Sequence, residues 1–162
     1  RDLVRSRGLG DVYKRQPKDK VNALLSFVYT SLNHEVQSAL ETVGLDPYVG
    51  FLHTDRPGRA SLALDMMEEL RAYLADRLVL SLINRKQISG KGFVEHGDNG
   101  IVMDEDIRKG VLLAWQKRKK ETIIHPYLNE SVPIGLIPYI QAMLLARFLR
   151  NDLDNYPVFL MK

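Results

Sequence analysis

Apolar residues recur at helical spacing between positions 21 and 43, at Val21, Leu24, Leu25, Val28, Leu32, Val36, Ala39, Leu40 and Val43. One apolar face sustained over about six turns predicts a long amphipathic helix. Asp19 is placed to cap its start and Gly44 to stop it. The polar stripe Asn22, Ser26, Tyr29 and Asn33 runs along another face and reads first as ordinary surface. A second helical pattern starts at Ser61, a plausible N-cap. Ala63, Met67, Leu70, Leu74 and Leu78 form its core stripe, and Ser61, Asp65, Glu68, Ala72 and Asp76 lie beside it. The period continues from 73 to 85, with a break expected near Arg71-Ala72, and residues 86–92 read as a loop.

Two short apolar runs, 93–95 and 101–103, flank His96-Gly97-Asp98-Asn99-Gly100 and predict a small hairpin with His96 in the turn. Residues 104–122 read as a helix that is acidic at its start and basic at its end, which suits the helix dipole. Arg108, Lys117, Arg118 and Lys120 on it are also able to touch phosphates. Trp115 is expected to face inward with Ile107, Val111 and Leu112. A last helix is expected over 139–151, followed by an extended segment over 158–162. The pattern as a whole predicts a mainly all-α fold with at least four helices and at most one short β-hairpin.

The first two helices are joined by G-L-D-P-Y-V-G-F-L-H-T-D-R-P-G-R-A, residues 44–60. Gly44 and Asp46-Pro47 break the helix. Val49, Phe51 and Leu52 are expected to be buried, which sets the ring of His53 at the edge of the core. Residues 54–59 are a polar turn carrying Arg56 and Arg59. Asp65 and Glu68 fall at the rim of the next helix, one turn apart. Carboxylates suit a hard divalent cation, and an imidazole nitrogen is a donor that Mn²⁺ accepts. A hydrogen-bonded rim histidine and two solvated carboxylates near the positive end of a helix make the plainer reading. Spacing leaves both open.

The blocks G-L-D-P-x-x-G-F-L-H and S-L-A-L-D-x-M-E-E-L, separated by a basic glycine turn, resemble the CRISPR-associated integrase family, the larger of the two universal adaptation proteins. The run D-x-V-N-A-L-L-S-F-x-Y-T from Asp19 to Thr30 resembles the same family. So do the tail blocks I-G-L-I-P (134–138), L-L-A-R (144–147) and D-L-D-N-Y-P (152–157). The resemblance covers about residues 17–162 in order, and the tail is most similar to the subtype I-C branch.

The resemblance implies a helical C-terminal catalytic lobe of a metal-dependent DNA endonuclease and integrase. Such proteins insert short DNA spacers into a CRISPR array by attack of a 3′-hydroxyl on a phosphodiester, with Mg²⁺ or Mn²⁺ as cofactor. The family's metal set is a Glu, a His and a further acid. His53 matches the histidine, Glu68 matches the last acid in a D-x-x-E form of the motif, and Asp65 is then a supporting or alternative ligand. Arg56 and Arg59 are implied as DNA contacts, with Asn22 and Tyr29 on the helix that lines the cleft. The family's first Glu lies upstream of Asp19, where this sequence has no match. Glu35 does not fit that role and reads as a surface helix carboxylate. The family's N-terminal β-rich lobe, which carries its dimer contacts, has no counterpart here, so the chain is expected to be a fragment with weak or no activity alone. Implied partners are the spacer duplex and CRISPR repeat, a second copy through the N-terminal lobe, and a small ferredoxin-like adaptation protein. Cytoplasmic action is implied as well.

A helical DNA-binding or scaffold module without catalysis is the alternative of a different class. It would separate His53 from Glu68 and would need a coherent basic face. His34, His96 and His125 add no ligand pattern that would favour an unrelated metal phosphohydrolase.

Composition bears on these readings in three places. At 162 residues and 45% hydrophobic, the chain suits one domain. It has no cysteine, which excludes disulfides and thiolate zinc sites. Its formal charge of +3 comes from residues 1–16, and setting these aside leaves 18 basic and 18 acidic residues. Residues 11–16, D-V-Y-K-R-Q, resemble the in-frame translation of a transposon-end sequencing adapter. Residues 1–16 are therefore expected to be a non-native leader, and 17–162 the helical catalytic domain. A genuine disordered basic arm is the other reading. Deleting residues 1–16 is expected to leave the thermal midpoint of the chain within a degree or two, because few buried contacts would be lost. A large drop in midpoint contradicts the leader reading.

Overall fold

The computed structural model describes residues 19–49, 61–88, 91–96 and 100–161. The expectations for residues 1–16 and for Phe51, Leu52, His53, Arg56 and Arg59 lie outside the described residues.

Helix α1 (Lys20–Thr42) is the element on which the others pack. Its row Leu24, Val28, Leu32, Val36 and Leu40 is at most 2% exposed. Asp19 caps it as expected, its carboxylate accepting the Asn22 N–H at 2.7 Å. Gly44 follows the last turn at φ +81°, a left-handed conformation that a side chain would strain. Val21 and Val49 depart from expectation. Val21 lies in the first turn of α1, and Val49 lies after the helix has ended. They are 44% and 54% exposed.

Helix α2 (Ser61–Leu70) runs directly into a π-helical segment, Arg71–Asp76, and then α3 (Arg77–Asn84). The break expected near Arg71-Ala72 is therefore a change of pitch. A π turn carries an extra residue, so the side chains beyond it are re-phased. The predicted stripe Ala63, Met67, Leu70, Leu74 and Leu78 is buried throughout, and Ala75, Val79 and Leu82 join it after the re-phasing. Ser61 is the first residue of α2 and is fully buried.

Strands β1 (Phe93–His96) and β2 (Gly100–Met103) form the expected antiparallel hairpin, with His96 as the last residue of β1, opposite Gly100. Helix α4 (Glu105–Lys119) is capped by Asp104, whose carboxylate accepts the Ile107 N–H at 2.8 Å. It stops short of Thr122 because Thr122 already belongs to a strand. Strands β3 (Thr122–Ile124) and β4 (Ser131–Pro133) form a second antiparallel pair, so the limit of one hairpin is exceeded. Runs of three residues are too short to show an alternating period. A 3₁₀ turn (Ile134–Leu136) leads into α5 (Ile137–Leu149), which starts and ends two residues earlier than expected. The segment after Pro157 forms no helix or strand among its described residues, of which only Phe159 is buried.

Trp115 is buried as expected, whereas Leu112 is 41% exposed. Trp115 Nε1 donates to Glu35 Oε1 at 2.9 Å, and Lys119 Nζ reaches the same oxygen at 2.7 Å. Glu35 is thus no surface carboxylate. It ties α1 to α4 from a half-buried position.

The least expected feature is a buried polar network. Both nitrogens of the fully buried His125 are engaged. The N–H groups of Tyr127 and Leu128 point at Nδ1 (3.2 and 3.1 Å), so the ring proton sits on Nε2, 2.8 Å from Gln141 Oε1. The Gln141 amide faces Glu69 Oε1 at 2.8 Å, the Tyr156 hydroxyl at 2.9 Å and the Pro157 carbonyl at 3.1 Å. Glu69 in turn accepts from Tyr156 at 2.7 Å and from the Phe159 N–H. One carboxylate thereby joins α2, α5, the β3–β4 loop and the C-terminal segment.

Burial lifts the Glu69 carboxyl above its ordinary value of 4.5, and the bonds from Phe159, Tyr156 and Gln141 offset part of the rise. Above pH 4.5 the folded chain keeps a proton that the unfolded chain has already released. Stability from this group is therefore greatest below that pH and falls as pH rises through the folded value, then levels. Glu69→Gln is expected to gain on the wild type as pH rises across that window in denaturant titrations. A difference that does not change with pH contradicts this. Gln141→Leu is expected to cost about 2–4 kcal/mol, since it strands the His125 N–H and removes a donor from Glu69. A cost under about 1 kcal/mol in the same titration would show that the network carries little.

Candidate metal centre

Helix α2 turns its apolar side to α1, which leaves Asp65 and Glu68 half-buried at the rim. This is the arrangement the stripe pattern implied. Arg71, one turn after Glu68, sets Nη1 3.3 Å from each carboxylate oxygen. The same guanidinium lies over the ring of Tyr29 on α1, with Cζ 5.8 Å from the centroid. The Tyr29 hydroxyl donates to Asp76, the last residue of the π segment. Burial first, and then the bond to Asp76, push the Tyr29 hydroxyl far above its usual range, and the Glu68 charge adds to the rise. Glu68, Arg71, Tyr29 and Asp76 therefore share one polar seam between α1 and the α2–π helix. The Asp76 end of that seam lies within the π segment.

The Glu68–Arg71 pair is about one-third exposed on both sides. Such pairs contribute roughly 0–1 kcal/mol, so a divalent cation or a phosphate displaces Arg71 from Glu68 at little cost. Two carboxylates one turn apart supply hard oxygen donors that suit Mg²⁺ or Mn²⁺. Their number is short of a full site: among the described residues no group of three His, Asp or Glu side chains is placed to hold a metal. His53, the ligand expected from the family resemblance, lies outside the described residues. Asn22 is exposed, and its amide bonds back to the capping Asp19 at 2.7 Å. The polar atoms of Asn22 and Tyr29 thus already have protein partners.

Glu69 contrasts with its neighbour. It lies on the face shared by Leu62, Met66 and Tyr73, and its lone pairs are spent on the network. A buried carboxyl with a raised pKa ordinarily suggests a functional site. Here the partners Gln141, Tyr156 and Phe159 are structural, and the group is closed to substrate. Sequence pattern alone held a signal for it, because Glu69 is a carboxylate at i+3 and i+7 from buried apolar residues on one helix face. Nothing comparable marked the His125–Gln141 pair or the link from Gln141 to Glu69, which join residues 16 and 72 positions apart.

Among the described residues no helix is long and apolar enough to cross a membrane. The family described as CRISPR associated protein Cas1 matches residues 11–117, beginning within the stretch expected to be a leader. The chain is 58% identical over 149 residues to CRISPR-associated endonuclease Cas1 2 of Rhodospirillum rubrum, covering 92% of this chain and 43% of that protein. Its fold superimposes on a Cas1 protein from Thermotoga maritima with TM-score 0.76 at 30% identity, over 85% of this chain and 42% of the other. It also superimposes on a chain of a partial Cas6-RT-Cas1–Cas2 complex, with TM-score 0.75 at 25% identity over 91% and 44%. The chain spans less than half the length of these relatives. A family match over most of its residues, together with the helical fold those relatives share, places the chain in the Cas1 family of CRISPR-associated proteins.

Proposed function

We propose that this chain is the helical catalytic part of a metal-dependent DNA endonuclease and integrase of CRISPR adaptation. The observation that carries the reading is Glu68. It sits on the rim of α2, about one-third exposed and, among the described residues, held by a weak ion pair with Arg71, in a chain 58% identical to a protein named an endonuclease. Glu68 and His53 hold one divalent cation, Mg²⁺ or Mn²⁺, with Asp65 as a supporting or alternative ligand. A third ligand, a Glu in the family pattern, completes the set in the whole protein. In this reading the helical domain is residues 17–162 and residues 1–16 are a leader.

The bound cation supplies charge neutralisation for the phosphate oxygens as displacement proceeds. The chain's own residues position the reactants. Arg56 and Arg59 hold the phosphates that flank the scissile one. Arg71, displaced from Glu68, stays stacked on Tyr29 and presents its charge to the same DNA. In the displacement a 3′-hydroxyl gives its proton to water as its oxygen bonds to phosphorus, the opposite P–O bond breaks, and the leaving 3′-oxygen takes up a proton from water. Asn22 and Tyr29 line the DNA side of α1, with Tyr29 acting chiefly through its ring.

The DNA substrates are a short spacer duplex and the CRISPR repeat. The whole protein pairs with a second copy through its N-terminal lobe and with a small ferredoxin-like protein. Support for the last comes from the superposition on a chain of a Cas1–Cas2 complex. The activity belongs in the cytoplasm, where the array is.

In the full-length protein, His53→Ala and Glu68→Ala are each expected to lower spacer integration at least a hundredfold in a gel-based strand-transfer assay. The thermal midpoint of Glu68→Ala is expected to stay close to wild type, because a half-exposed pair carries little stability. Integration at the wild-type rate by either variant overturns the assignment.

A further inference from the structure

A groove of 440 Å³ runs between α3 and α4, and neither the metal centre nor the buried network uses it. Its floor is aliphatic, formed by Leu78 and Leu82 of α3 and by Ala114 of α4. Leu113 stands at its edge 71% exposed, a large apolar side chain left in water. Arg85 and Lys117 lie on the rim, both exposed, and neither has an acidic partner among the described residues. Arg118, also on the wall, is spent on the Tyr73 carbonyl and Glu121.

Gly110 is the second observation. It lies inside α4 and lines the groove. Glycine in a helix interior is less stable than alanine by about 1 kcal/mol. No contact among the described residues demands it: a Cβ built there meets nothing within 4 Å. The φ angle is not left-handed either, so the conformation does not require glycine. What a missing Cβ provides at such a place is close approach of another backbone to the helix wall.

We propose that this groove is a docking site for a short segment of a partner protein, with one or two aliphatic or aromatic anchors flanked by carboxylates. The anchor fills the aliphatic floor against Leu113, the segment's backbone passes over Gly110, and its carboxylates meet Arg85 and Lys117. Charge complementarity selects an acidic segment. The aliphatic floor selects a peptide over a nucleic-acid backbone, whose phosphates would gain nothing from buried leucines. This site is independent of the proposed metal centre.

The test is selection of random twelve-residue peptides displayed on phage against the purified chain, with counter-selection against Gly110→Phe, which fills the groove. Recovered peptides are then measured as fluorescent probes. The expected peptides carry net negative charge and at least one Leu, Ile or Phe. They bind Gly110→Phe and Lys117→Glu at least tenfold more weakly than wild type. Gly110→Ala is expected to raise the thermal midpoint while weakening the same peptides severalfold, a combination that a purely structural glycine does not produce. Recovery of no peptide that prefers wild type over Gly110→Phe overturns the proposal. So does recovery of neutral or basic peptides, or binding of a 20-base-pair DNA duplex that Gly110→Phe abolishes.

Discussion

A carboxylate taken out of water must have its lone pairs met, or it costs several kcal/mol. Glu69 is such a group, and meeting its needs organises the chain. Its partners come from α5, from the C-terminal segment and, through Gln141, from the β3–β4 loop. Phe159, which donates its N–H to Glu69, also packs edge-on against Tyr73 of the π segment. The rotation of α2 about its own axis is thereby fixed from a second face, next to the one that meets α1. That rotation also decides where Glu68 points, because adjacent helix residues differ by about 100°. One glutamate is sealed inside so that its neighbour is held at the rim.

The π segment does related work further along. It re-phases the chain so that Leu74 and Ala75 stay buried while Asp76 meets Tyr29. Tyr29 in turn sits beneath Arg71, which pairs with Glu68. The seam therefore couples α1 to the rim of α2 that carries Glu68. Its outer pair is weak and exchangeable, and its inner bond is half-buried. This suits a site that must be rigid at its base and open to ions and DNA at its face.

Much of this was legible in the residues. The long period of α1, the Asp19 cap, the Gly44 stop and the core stripe of α2 follow from spacing and side-chain chemistry, because each is local. The same locality placed Asp65 and Glu68 at a rim. What spacing does not carry is partnership across the chain. Glu35 read as surface because nothing near it in sequence announces Trp115 or Lys119. His125 showed no pattern of its own because Gln141, which takes its ring N–H, is brought to it only by folding. The strand pair β3–β4 was missed because three-residue runs have no period. His53 rests on family resemblance, and its partnership with Glu68 is the claim on which the functional reading stands.

The measurement that tests that claim most directly is a crystal structure of the full-length protein soaked in manganese, with an anomalous difference map. The account predicts a manganese peak within about 2.0–2.3 Å of a His53 ring nitrogen and a Glu68 oxygen, with Arg71 swung off that carboxylate. Glu69 should remain sealed in its network. A manganese peak elsewhere, or His53 and Glu68 on opposite faces of the molecule, contradicts it.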